Sequence, residues 1–248
     1  MNSLVLCEGK TDAILLSYVL INQCGYKPFK DENGDKKKLT PTFNSNLNEY
    51  AYWYKNNNSF VLICSVGGCD NISEFFSKYI IPIQKNDYKN ENIFEKIVII
   101  RDKDDKTNEE IEEVILSKTN ISFLSNKWEK VCIETKFDNI NSFFSTYLLI
   151  IPIEHSGALE DVVLTAFSED DNKKIIVEKS CKFIDDIKQD ASTYLVSRRL
   201  ISKAKLGVTL AIISPEKVFH FIDEMLKNID WTKYNTIMTT FNVLSELA

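Results

Sequence analysis

Three stretches of the chain are apolar at nearly every position and stop abruptly at polar or glycine residues: Leu4-Val5-Leu6-Cys7, "FVLICS" over residues 60–65 and "KIVIIR" over residues 96–101. An apolar run without alternation is the pattern of a strand buried on both faces, as in a parallel sheet covered by helices. Each run leads into a helical pattern. After the first come Gly9 and then Ala13-Ile14-Leu15-Leu16 through Ile21, enough for roughly three helical turns, with Thr11 or Asp12 as the cap. "VGGCD", residues 66–70, turns the second run into a helix reaching about Ile80. "TNEEIEEVILSK" follows the third, with Thr107 as its cap and glutamates in its first turn. This repetition predicts βα units and a largely parallel sheet flanked by helices.

The remaining segments complete the outline. Cys24 to Asn48 is a polar, Lys- and Asn-rich loop with a short hairpin expected at Asn33-Gly34. Residues 121–134, "ISFLSNKWEKVCIE", predict two short strands around Asn126-Lys127, and "YLLIIPI", residues 147–153, another strand. From about Gly157 the period becomes helical: "ALEDVVLTAF", "CKFIDDIKQ", "STYLVSRRLISKAK", "PEKVFHFIDEML" with Pro215 as a helix start, and a last helix around residues 234–246. The expected organisation is an α/β domain over residues 1–155 followed by an α-helical region, residues 156–248, packed on it.

Composition narrows the function classes. The chain has 248 residues, 44% apolar and 27% charged, which is ordinary for a soluble globular protein. No apolar stretch approaches the length of a membrane span, and the N-terminus lacks a basic, cleavable leader, so a cytoplasmic protein with no membrane partner is expected. Cys7, Cys24, Cys64, Cys69, Cys132 and Cys181 contain no C-x-x-C pair and read as reduced core residues. Only two histidines, His155 and His220, are available to a zinc site.

A net charge of −6 argues against nonspecific coating of nucleic acid, although local phosphate contacts remain compatible with it. Charge is segregated. "RDKDDKTNEEIEE", residues 101–113, holds seven acids against three bases, while "RRLISKAK", residues 198–205, holds four bases and no acid. A metal site and a phosphate-contacting patch would divide charge this way, and so would two solvated helix faces.

Gly9-Lys10-Thr11 resembles the end of a phosphate-binding loop, but the spacing excludes one. The position five residues before Gly9 is Leu4, and an apolar strand fills the segment that should be glycine-rich. The chemistry at this strand end is acidic instead. Glu8 and Asp12 lie where open α/β sheets bind ligands, Gly67-Gly68 follows the second strand, and Asp102 and Asp104 follow the third. In an Asp-x-Asp at a strand terminus, a side-chain period of two turns both carboxylates the same way, toward one cation. Such acids at neighbouring strand ends repel one another unless cations are present, so they are expected to be metal-occupied or partly protonated. The same Asp-x-Asp also opens the haloacid-dehalogenase phosphatase motif, but Lys106 stands where that family has a small or Thr-type residue.

In this order and spacing, Glu8-Gly9 with Asp12, Gly67-Gly68, and Asp102/Asp104 resemble the Toprim domain of topoisomerases, bacterial primases, small RNA-maturing nucleases and overcoming-lysogenization-defect (OLD) nucleases. The resemblance covers roughly residues 3–155. It implies a compact α/β sheet, Mg²⁺ or Mn²⁺ dependence with two ions, and phosphodiester hydrolysis of DNA or RNA. Glu8 would match the acid/base or metal-binding glutamate, and Asp102 and Asp104 the metal-binding pair. Asp12 points to the OLD branch or to compact stand-alone Toprim proteins. On the OLD match, Glu160 in "EHSGALED" would complete the metal cluster. Lys203 or Lys205 in "SKAKLGVTLA" would steady charge on the phosphate. Lys205 is taken as the catalytic candidate, and Arg198, Arg199 and Lys203 as nucleic-acid contacts. The chain departs from full OLD proteins in having no ATPase motif. The alternative is a Toprim-like scaffold that binds nucleic acid or a partner protein without cutting.

Overall fold

A computed structural model describes residues 1–41, 50–86, 92–137, 139–217, 222–227 and 229–247. The elements along the chain are β1 (Asn2–Cys7), α1 (Lys10–Cys24), β2 (Lys27–Phe29), β3 (Tyr50–Asn56), β4 (Ser59–Ser65), α2 (Cys69–Phe75), α3 (Ile81–Asn86), β5 (Lys96–Asp102), α4 (Asn108–Thr119), β6 (Glu129–Glu134), β7 (Asn141–Ile151), α5 (Leu159–Phe167), α6 (Asp171–Ile187), α7 (Arg198–Ile213), α8 (Ile222–Lys227) and α9 (Asn235–Thr240). A π-helical turn, Phe76–Ile80, joins α2 to α3.

Among the described residues the strands form one sheet in the order β2-β3-β4-β1-β5-β7-β6. The three continuous apolar runs are its centre. β1 is parallel to β4, from Asn2↔Phe60 to Cys7↔Ser65, and parallel to β5, from Ser3↔Lys96 to Leu6↔Ile99. The pairs β2/β3, β3/β4 and β6/β7 are antiparallel. The sheet is therefore mixed, and the parallel pairing expected of most of it belongs to the middle. β3, "YAYWYKN", hairpins onto β4 through Asn57 at φ +52°. Its aromatic and polar residues sit in Asn-rich surroundings, which hides a strand from a search for apolar runs.

Two expected features do not form. At Asn33-Gly34 the Gly34 amide closes a turn on the Asp31 carbonyl at 3.2 Å, but no strand flanks it, because the lysine-rich sequence offers no apolar face to pair. Of the two strands expected around Asn126-Lys127, the second is β6; the first is reduced to an isolated bridge from Ser125 to Leu148. The helix expected from Ser192 begins only at Arg198, where the Ser197 hydroxyl accepts the Leu200 amide at 3.3 Å. Pro215 opens one 3₁₀ turn, Pro215–Lys217; residues 218–221, which include His220, lie outside the described residues.

Two compact units are present: Met1–Arg101, Lys106–Ile150 and Val243–Ala248 form the first, and Asp102–Asp105 with Ile151–Asn242 the second. In the first, Leu4, Leu6, Leu62, Cys64, Ile97 and Ile99 form one buried cluster with Ile72, Phe75 and Phe76 of the α2 region and Ile111 and Ile115 of α4. The alternate residues Val5, Ile63 and Val98 are equally buried, and α1 packs against β4. Burial on both faces is the reason these strands read as unbroken apolar runs. α4 starts as its sequence predicts: Thr107 Oγ1 accepts the Glu110 amide at 3.2 Å, and Glu110 accepts the Thr107 amide at 2.8 Å. All six cysteines are free thiols. Cys7 and Cys64 are core residues, whereas Cys132, at an outward position of β6, is exposed and corrects the reading of all six as core.

At the last residue of α1, burial pushes the Cys24 thiol up to about 11. Burial, reinforced by Cys24, pushes Tyr26 up to about 12; its hydroxyl donates to the Leu247 carbonyl at 2.9 Å. Raised acid groups favour the folded state while both states are protonated, and that advantage is lost once the unfolded chain ionises first. Urea midpoints are expected to hold up to pH 9, the ordinary thiol value, and to fall as pH rises toward 11. Cys24→Ala is expected to flatten the early part of that fall; an equally steep fall in the variant would contradict this account.

Candidate functional site

In the first unit, the register of β1 and β5, continued by two residues beyond Leu6↔Ile99, sets Glu8 opposite Arg101. Their side chains meet: Arg101 Nε donates to Glu8 Oε1 at 3.0 Å, and both side chains are 5% exposed. The backbones after β1 and β4 stay joined, with Val66 N–H on Cys7 O at 3.2 Å and Gly68 N–H on Glu8 O at 2.9 Å. Gly67 and Gly68 make this turn at φ +79° and +141°, the left-handed region where a side chain is strained. Burial raises the thiol of Cys69, the next residue; Glu8 adds to the shift and Arg101 opposes it. The helix cap is Gly9, not Thr11 or Asp12. Asp12, in the first turn of α1, reaches back so that its Oδ2 accepts the Gly9 amide at 2.8 Å. Lys10 is exposed.

The second unit stitches the residues after β5 to the approach of α5. Lys103 N–H donates to Ile151 O at 2.7 Å, and Asp104 and Gly157 exchange both backbone hydrogen bonds at 2.8 and 3.1 Å. Gly157 has φ +153°, and a Cβ there would lie 2.6 Å from Asp161 Oδ2. The buried Asp102 carboxylate accepts the Leu159 amide, the first of α5, at 3.0 Å, a placement that also suits the positive end of the helix. Asp161 Oδ2 accepts the Ala158 amide at 2.9 Å, and Asp161 Oδ1 accepts the Ser202 hydroxyl at 3.1 Å. Glu160 meets Lys203 at 3.8 Å. Arg198 donates to Asp105 at 2.6 Å and to the Ser156 hydroxyl and carbonyl at 2.9 and 2.5 Å. Lys205 donates to Asp185 at 3.0 Å, and Arg199 and His155 are exposed. An open cavity of about 300 Å³ is lined by His155, Ser156, Asp161, Cys181, Arg198 and Lys205.

Of the predicted residues, then, Glu160 and Lys203 are brought together, and Asp102, Asp104 and Glu160 share one unit while Glu8 and Asp12 belong to the other. β5 ends at Asp102, and Asp104 sits at φ +49°, so the two-residue alternation expected to turn both carboxylates the same way stops between them. An all-oxygen donor set suits a hard divalent cation. As arranged, however, Glu8, Asp12, Asp102 and Glu160 hold protein donors. Among the described residues no group of three or more His, Cys, Asp or Glu side chains is gathered to hold a metal ion. The acids fit such an ion by chemistry and not by their present arrangement.

Comparison with known proteins places the chain in a family. A family model matches residues 2–242. The chain belongs to DUF3226, a family described as "Protein of unknown function". No curated protein matches this DUF3226 chain. It is similar to the crystal structure of hypothetical protein PH0156 from Pyrococcus horikoshii OT3, with 14% identity and a TM-score of 0.49, over 99% of this chain and 98% of that one. Among the described residues of the DUF3226 protein, no helix is long and apolar enough to cross a membrane.

Sequence reasoning passed over Arg101, Asp161 and Ser202. Arg101 carried a usable signal: it is the one charged residue between Ile97 and Asp102 in a strand apolar enough to be buried, and a charge there needs a partner. Asp161 was legible as the acid three residues after Ala158 at a helix start. Ser202 had no signal. Asp102→Ala strips the Leu159 amide of its acceptor and is expected to cost about 1–2 kcal/mol by urea denaturation, with Asp102→Asn, which keeps an acceptor oxygen, costing less. Equal losses would show that this hydrogen bond does not anchor α5.

Proposed function

We propose that this protein is a divalent-metal-dependent phosphodiesterase acting on DNA or RNA, a nuclease in the broad sense, with Asp102, Asp104 and Glu160 as its cation-binding acids. The observation that carries the reading is the adjacency of three parallel strands, β4-β1-β5, whose carboxyl ends lead into Gly67-Gly68, Glu8 and Asp102. Ligands of open α/β sheets bind at such ends. The Toprim resemblance rests on those same residues, taken in their order along the chain. Asp102, Asp104 and Glu160 would hold a Mg²⁺ or Mn²⁺ ion, which would supply an activated water and charge stabilisation at phosphate oxygens. The chain's own contribution is cationic: Lys203 beside Glu160 and Arg198 beside Asp105 stand next to the acids of the second unit, where phosphate contacts need positive charge. Asp102 and Glu160 would have to exchange their protein donors for the ion, and Glu8 already carries a cation in the form of Arg101.

The buried Glu8–Arg101 pair, with no gathered group of three ligands among the described residues, favours a second reading: a scaffold that binds nucleic acid or a partner protein without cutting. Incubation with single- and double-stranded DNA and structured RNA, in Mg²⁺, Mn²⁺ or EDTA, separates the two. Metal-dependent cleavage lost in Asp102→Ala/Asp104→Ala is the expected result. Binding that survives both EDTA and the double substitution, with no cleavage of any substrate, would replace it with the scaffold reading.

A further inference from the structure

We propose that Arg101 is a resident cation at Glu8, neutralising that carboxylate permanently, so that Glu8 is not a metal ligand and any divalent ion binds elsewhere in the chain. The inference goes beyond the phosphodiesterase reading and does not require it. It stands on burial, distance and register. Glu8 and Arg101 face each other when the β1/β5 register is continued two residues past Leu6↔Ile99, meet at 3.0 Å, and are each 5% exposed. A buried carboxylate must be paired or protonated, and a buried guanidinium remains charged in either case. A divalent ion arriving at Glu8 would either sit against that guanidinium and be repelled, or displace it and leave a buried positive charge without its partner. The Glu8 carbonyl is also engaged, accepting the Gly68 N–H at 2.9 Å. The guanidinium thus does at Glu8 the electrostatic work that a metal does in a carboxylate cluster, with a fixed direction and no exchange with solvent.

The test reads stability, not cleavage, so its failure is separable from failure of the phosphodiesterase reading. Thermal midpoints are measured in EDTA and in millimolar Mn²⁺ for the wild type, Glu8→Gln, Arg101→Met and the double variant. Each single variant is expected to lose about 10 °C, because one buried partner is stranded, and the double variant to lose clearly less than the sum. Mn²⁺ is expected either to leave the wild-type midpoint unchanged or to raise it by an amount that Glu8→Gln retains. A Mn²⁺-induced rise that Glu8→Gln abolishes would overturn the proposal, as would additive losses in the double variant. If Arg101→Met does not fold, calorimetric titration of wild type and Glu8→Gln with Mn²⁺ decides: equal binding, or none in either, sustains the proposal, and loss of binding in Glu8→Gln overturns it.

Discussion

At the carboxyl edge of the central strands a carboxylate and a guanidinium, both almost wholly out of water, are hydrogen-bonded to each other. Neither could stay there alone. Because β1 and β5 must align so that residue 8 faces residue 101, the pair fixes the slide of one strand along the other. On its other side β1 is held to β4, and the turn at Gly67-Gly68 closes its amide on the carbonyl of the residue that bears the carboxylate.

The second unit solves a different problem, that of anchoring a short acidic segment that leaves the sheet. Asp102–Asp105 carries three acids in four residues, and its backbone and side chains are tied to the stretch before α5 and to that helix's first amide. Helix dipole, backbone bridge and the bases of α7 each take up part of the negative charge. Asp102, Asp105 and Glu160 thus each face a protein donor or base, which is why their donor chemistry and their arrangement give different answers about metal.

Much of this was legible in the chain. The apolar runs at residues 4–7, 60–65 and 96–101 announced the parallel centre because burial on both faces leaves no polar positions to break them. Thr107 announced its helix because capping is local. Less legible was whatever depends on distant partners. β3 is recognisable only once β4 lies beside it, and the role of Arg101 only once Glu8 does. Asp104 looked like a second strand-end ligand because alternation was assumed to continue past Asp102, and one left-handed residue breaks it. The acids were found by type and order, whereas the donors that hold them belong to three-dimensional proximity.

The Leu247 carbonyl accepts hydrogen bonds from the Ser3 hydroxyl and the Tyr26 hydroxyl, across 244 and 221 residues of sequence. Val243, Leu244 and Leu247 are buried, and they belong to the unit that begins with β1. The first unit is thus discontinuous in sequence, with residues 151–242 inserted before its last turn. During synthesis its opening strand and helix must wait for residues made after the whole of that insertion before their final contacts close. Such high contact order slows the last folding step. Until then Ser3 and Tyr26 lack the carbonyl they bond in the folded chain, and incompletely packed intermediates of this kind are open to association with other chains.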